Sequence, residues 1–236
     1  MEFAIKSGFI NNAVLTGSNG LLPDPKLVSR VEEIIACSQT KYAASPVVSV
    51  LNKAVAEGKN GIGIVGTACQ LTGTAKLRLN PLNKEGFKDP LALTIGLFCT
   101  WSLDTRKILS LLEDKIDLKS VTGMDVPPPP AEVLIVKTKT GDLEIPLSDI
   151  RPLIPKGCGL CSDMTAQWSD ISVGAFEGKP DWNTLIVRTE RGAELVRQAN
   201  EQGYLELDGF PSSSLEHLTQ AALNKKQRAD SQHSAK

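Results

Sequence analysis

Histidine is nearly missing from this chain: there are two, His217 and His233, both close to the C-terminal end. A triad built around a buried histidine base has little material to draw on. Aromatic residues make up 5%, too few for a platform on which bases stack, and a net charge of −1 supplies no basic field for a polyanion. No apolar run approaches the ~20 residues that cross a bilayer. The opening, Met1-Glu2-Phe3-Ala4-Ile5-Lys6, lacks the basic-then-apolar form of a signal peptide. A cytoplasmic protein with no membrane span and no nucleic-acid partner is expected. Five cysteines in 236 residues are too sparse for a disulfide scaffold, and in a reducing compartment they read as ligands or redox groups.

What is present is ordinary for a soluble globular chain: 41% apolar and 22% charged residues, enough length for one large domain or two lobes. Phe3-Ala4-Ile5 before Ser7-Gly8 reads as the end of a helix with a glycine stop, which suggests further sequence ahead of Met1. A short strand at Ala13-Val14-Leu15-Thr16 gives way to a Gly/Ser/Asn/Pro loop through Pro25. Leu27, Val28, Val31, Ile34 and Ile35 recur at helical spacing up to Cys37. Ser45 and Pro46 then open a second helix, carrying Val47, Val50, Leu51, Ala54 and Val55, which Gly58 ends.

Gly61-Ile62-Gly63-Ile64-Val65-Gly66 spells a dinucleotide-binding fingerprint, but the apolar residues make the run itself a strand rather than the turn after one. The turn that follows, Gly66-Thr67-Ala68-Cys69-Gln70, sets Cys69 where a strand exits toward a helix, the usual binding edge of an α/β sheet. Leu91 to Phe98 repeats the pattern as a strand buried on both faces, ending at Cys99, with Ser102 capping the next helix over Ile108, Leu109, Leu111 and Leu112. If the two strands are parallel, both thiols emerge on one edge.

Pro127-Pro128-Pro129-Pro130 is a stiff extended connector, and residues 133–136 and 143–147 form a hairpin around Thr140-Gly141-Asp142. Strands follow at 171–174 and 184–187; Thr189 caps a helix that Gly203 stops, and a last helix starts near Ser214. From Asn224 to Lys236 the chain is polar and expected to fray.

Gly157-Cys158-Gly159-Leu160-Cys161 places two thiols two residues apart on a freed backbone, able to face one centre. With Cys69 and Cys99 they make four candidate ligands; Cys37, at the end of an amphipathic helix, reads as a buried thiol. A thioredoxin-type pair is disfavoured, since no helix N-terminus obviously follows Cys158 and Cys161 and no βαβ unit leads into them. Spacing leaves zinc and iron–sulfur both open.

Several ordered segments resemble the beta-subunit family of coenzyme F420-reducing hydrogenase and F420-dependent formate dehydrogenase, from Glu2 to about Ala222. They are Thr40-Lys41-Tyr42 with Ser45-Pro46, Gly66 to Gln70, Ile95 to Cys99, Gly157 to Asp163, Trp168 to Gly174, and Trp182 to Thr189. The resemblance implies a [4Fe–4S] cluster held by Cys69, Cys99, Cys158 and Cys161, with FAD beside it contacted by Thr40, Lys41, Tyr42, Gly66, Thr67, Arg188 and Thr189. Trp168 and Trp182 either wall the flavin or pack in the core, and Asp163 and Asp170 cap turns or bond backbone rather than transfer protons.

It further implies an α/β fold, a mixed sheet with flanking helices in two lobes around the cluster and flavin, divided as 1–79 and 80–223 with a flexible tail at 224–236. Coenzyme F420 is the expected carrier, and a larger hydrogenase, dehydrogenase or heterodisulfide-reductase-type complex the expected partner. Family members usually have a glycine-rich, acid-bearing segment upstream of the point that Met1 occupies, and some a two-cluster ferredoxin module. Neither appears here, and Ala68 stands where relatives often have proline. Two alternatives follow: a ferredoxin-dependent reductase of an organic substrate, or an assembly subunit that keeps a metal only as scaffold.

Overall fold

The computed structural model describes residues 1–80, 86–127, 130–177, 179 and 181–234. From the N-terminus the chain forms α1 (Glu2–Lys6), a hairpin of β1 (Asn12–Asn19) and β2 (Leu22–Val28), then α2 (Val31–Ala36), α3 (Val47–Ala56), β3 (Ile62–Thr67), α4 (Ala68–Leu79) and β4 (Leu91–Leu97). After β4 come α5 (Thr105–Glu113) and three antiparallel strands, β5 (Val121–Asp125), β6 (Val133–Thr138) and β7 (Gly141–Pro146). The short helices α6 (Leu147–Ile150) and α7 (Lys156–Gly159) lead to β8 (Ile171–Ala175), β9 (Asn183–Val187), α8 (Glu190–Glu201) and α9 (Ser212–Ser234).

The large sheet has the order β2-β1-β3-β4-β8-β9. Its four inner strands are mutually parallel and its two edge strands antiparallel, the mixed α/β arrangement expected. Alternation along β1 decides the layers: Ala13 and Leu15 face α1 and α8, through Phe3, Ala4, Leu195, Val196 and Ala199, while Val14 faces α3 and α4. A separate core under the small sheet buries Leu103, Ile108, Leu112, Leu134, Val136, Ile145 and Ile150, each worth ~1.5–3 kcal/mol of transfer free energy. The division expected at residues 79 and 80 falls between β3 and β4, which are paired, so the large sheet runs across it. Pro128 and Pro129 of the expected connector lie outside the described residues.

Three expectations are corrected. The stretch read as a loop through Pro25 is strand β2, which runs on to Val28, so the helix expected from Leu27 begins only at Val31; Pro23 and Pro25 lie on an edge strand where no inner ladder needs their missing N–H. Ser45 and Ser102 cap no helix: Ser45 Oγ bonds Thr16 Oγ1, Ser102 Oγ donates to Tyr42 O, and Asp104 caps α5 through the N–H groups of Arg106 and Lys107. The tail expected to fray after Asn224 is helical through Ser234, because one face of α9 packs on the body, with Lys225 and Ala229 buried.

One feature of the fold sets up the site. Residues 164–170 run alongside β4 before the chain enters β8. Cys99 N donates to Met164 O, Gly96 lies against Ala166, and Asp170 N donates to Thr94 O. Glycine at 96 is what lets this segment lie so close: a Cβ there would collide with Ala166 Cβ and come within 2.8 Å of Ser169 Oγ.

Candidate functional site

Because β3 and β4 are parallel and in register, Thr67 opposite Leu97, the segments that follow them leave the sheet on the same edge. Cys69 is the second residue of α4 and exposed. Its turn is fixed by a capping box in which Thr67 N donates to Gln70 Oε1 at 2.9 Å, and Thr67 Oγ1 lies 3.4 Å from Cys69 Sγ. Cys99 lies two residues past β4, half-buried, its thiol 3.6 Å from Trp101 O. The N–H of Cys99 bonds Met164 O, which brings the turn from Cys158 to Asp163 to the same edge. Cys158 sits in α7 and Cys161 just beyond it, its Sγ 3.5 Å from Asp163 O.

All five cysteines are free thiols. Burial pushes the Cys99 thiol up to about 11; Lys225 opposes that shift, and the neighbouring thiols of Cys69, Cys158 and Cys161 add to it. The Cys99 thiol is thus within electrostatic reach of the other three. Cys37 stands apart from them, near Lys26 and Lys41, its thiol also raised by burial. Among the described residues, no three His, Cys, Asp or Glu are placed so as to hold a metal ion.

Lys225 is a residue at these cysteine turns that sequence reading missed. It is only 4% exposed, and its ammonium donates to Cys99 O at 2.5 Å and Asp163 O at 2.8 Å. Nearby, Gln232 packs directly over Gly159, so the last turns of α9 cover the cysteine turn. The available signal was the recurrence of Leu218, Ala222, Lys225 and Ala229 at helical spacing, masked by the charge of the lysine itself.

The expected flavin contacts fall into two groups. Thr40, Lys41 and Tyr42 belong to a loop stitched to both sheet-edge cysteine turns: Leu103 N donates to Tyr42 O, and Gln70 Nε2 donates to Ser45 O. Gly66 and Thr67 lead directly into Cys69. Lys41 is engaged within its own loop, donating to the carbonyls of Cys37, Ser38 and Gln39, and burial lowers its pKa. Tyr42 OH accepts from Val126 N, and burial raises its pKa. The hollow beside this loop holds only about 30 Å³.

Arg188 and Thr189 follow β9 and meet the segment after the cysteine turn, at Thr165 and Asp170. Arg188 Nε donates to Ser172 Oγ at 2.8 Å and an Nη to Thr165 Oγ1 at 2.8 Å; burial lowers its pKa, with Asp163 opposing. It lines a cavity of about 380 Å³ with Ser162, Asp163, Met164, Thr165 and the apolar face of α9. Thr189 caps α8 and donates to Asp170. Trp168 is 48% exposed rather than in the core, and Lys179 sits over the ring of Trp182. Asp170 bonds backbone and hydroxyl groups, as expected of it, and Asp163 Oδ2 accepts from Gln167 N.

Two family models match the chain: the coenzyme F420 hydrogenase/dehydrogenase beta subunit N-terminus over residues 1–52 and its C terminus over residues 59–213. The coenzyme F420 hydrogenase beta subunit of Methanosarcina barkeri is 30% identical over 213 residues, covering 87% of this chain and 72% of that protein. The corresponding subunit of Methanothermobacter thermautotrophicus is 30% identical over 212 residues, 87% of this chain and 74% of that one. The coenzyme F420-dependent sulfite reductase of Methanocaldococcus jannaschii is 30% identical over 210 residues, 83% of this chain but 32% of that protein. Among solved structures, a chain of the F420-reducing [NiFe] hydrogenase complex from Methanosarcina barkeri superposes with a TM-score of 0.89 at 27% identity, covering 98% of this chain and 81% of that chain. No helix among the described residues is long and apolar enough to cross a membrane.

Proposed function

Since the chain belongs to the coenzyme F420 hydrogenase/dehydrogenase beta-subunit family of electron-transfer oxidoreductase subunits, we propose that it carries a [4Fe–4S] cluster and FAD and moves electrons between coenzyme F420 and a larger complex. Cys69, Cys99, Cys158 and Cys161 would hold the cluster. The observation that carries this is the convergence of three chain segments, each bearing cysteine, on the edge where parallel strands β3 and β4 end. The donor set fits the group. Four free thiols suit an iron–sulfur cage, whose ligands bind different irons and need not converge on a single ion.

Flavin would be held by the Thr40-Lys41-Tyr42 loop, the Gly66-Thr67 turn, Arg188 and Thr189. The fit rests on Arg188, whose guanidinium is fixed by Ser172 and Thr165 at the wall of a cavity beside the cysteine turn, ready to face an anionic ring or phosphate. When bound, the flavin would supply two-electron hydride chemistry and the cluster one-electron chemistry. The chain's own residues keep this arrangement fixed. The Thr67–Gln70 box orients Cys69, the Met164 carbonyl orients Cys99, and α9 covers the turn of Cys158 and Cys161.

The partner is a hydrogenase, dehydrogenase or heterodisulfide-reductase-type complex; the likeness to a subunit of the F420-reducing hydrogenase complex supports the first. The cytoplasm is its compartment. A second use, as the module of a larger reductase, is favoured by the likeness to part of the sulfite reductase. Reduced F420 added anaerobically to the FAD-loaded chain tests the main reading. Bleaching of the flavin absorbance within one turnover is expected, and a bound flavin that stays oxidised would overturn it.

A further inference from the structure

A lysine ammonium with almost no solvent contact needs compensation, because burial strips its hydration. Lys225 receives two backbone carbonyls, Cys99 O and Asp163 O, and among the described residues no carboxylate pairs with it. Carbonyl dipoles alone leave a whole positive charge against the backbone of Cys99 and against the carbonyl of Asp163 that the Cys161 thiol also meets. The two carbonyls also belong to different cysteine-bearing segments, one leaving β4 and one closing the turn after Cys161. A single cation thus ties the segments together, and it arrives on α9, a helix whose sequence gives no other reason to bury charge there.

We propose that Lys225 is the built-in counter-cation of the cysteine-held centre: a positioning residue that clamps the two ligand segments and favours the reduced, more negative state of whatever they bind. The inference rests on the cluster reading above. Thiolate ligation makes the centre anionic, and each electron added makes it more so. A fixed, buried ammonium next to it selectively stabilises the reduced form. Removing the charge lowers the potential, whereas removing the hydrogen bonds loosens the ligands, and the two effects are separable by the choice of variant.

The test uses the full chain, purified and reconstituted anaerobically with iron and sulfide, then titrated with dithionite while the cluster signal is followed by electron paramagnetic resonance. Lys225→Arg keeps the charge and should retain iron content and potential. Lys225→Gln keeps a donor but not the charge; it should retain iron while the equilibrium for one-electron reduction falls about tenfold, which is 59 mV. Lys225→Met loses both and should bind less than half the iron of the wild type, with faster amide exchange along α9 even in the apo chain. A Lys225→Gln potential equal to wild type, or a Lys225→Met protein loaded as fully as wild type, would overturn the proposal. A wild-type chain that takes up no iron would instead sink the cluster reading itself.

Discussion

At one end of residues 163–170, Asp170 is 2% exposed and accepts from Thr94 N, Thr94 Oγ1, Thr189 Oγ1 and the guanidinium of Arg191. At the other end Lys225 is almost as buried, yet it faces two carbonyls and no carboxylate. The carboxylate is saturated within the chain, tying β4, β8 and the start of α8 into one unit. The ammonium is not saturated in this way, and it lies next to thiols. A buried charge with a complete local complement serves the fold; the counter-cation role proposed for Lys225 would give its ammonium the complement that the two carbonyls do not.

The largest effect expected from breaking this contrast lies at Asp170. Asp170→Ala leaves Arg191 and the Thr94 N–H without their acceptor and should cost about 3–5 kcal/mol in chemical denaturation. A cost no larger than that of a surface change contradicts the structural assignment. Burial alone would raise the Asp170 pKa, but hydrogen bonds from Thr189 and Thr94, with Arg191, hold it below the ordinary carboxylate value. Its contribution is therefore fully present above that ordinary value and is lost as pH falls through the lowered one. Asp170→Asn should accordingly flatten the acid limb of the stability curve.

Gly96→Ala comes next. The new methyl would strike Ala166 and crowd Ser169, costing about 1–3 kcal/mol and lifting the 164–170 segment from β4. Thermal melting together with faster alkylation of Cys158 and Cys161 would register both consequences. A smaller loss belongs to Asp104→Ala, which removes the α5 cap at about 1 kcal/mol. Since α5 packs with the small sheet, iron content should not change. Iron loss in that variant would show that the two regions are less separate than their cores suggest.

Much of the large sheet was legible because its strands are short apolar runs bounded by turns, and parallel order placed Cys69 and Cys99 on one edge as the spacing implied. The Thr189 cap and the Gly58 and Gly203 stops were equally local and equally legible. What escaped depends on distant partners. Pro23 and Pro25 look like a loop until an edge strand gives them a place, and the Ser45 hydroxyl meets Thr16 across 29 positions. The start of α9 was legible near Ser214, but its continuation past Asn224 was not: the buried face there offers Lys225 and Ala229 where periodicity looks for long apolar side chains. Lys225 reaches Cys99 across 126 positions, a contact with no local signal.

Iron, acid-labile sulfide and zinc, quantified on the chain purified without exposure to air, bear most directly on the four thiols. A brown protein with about four iron and four sulfide per chain, and no stoichiometric zinc, is the expected result. A colourless protein holding one zinc and no iron would contradict it.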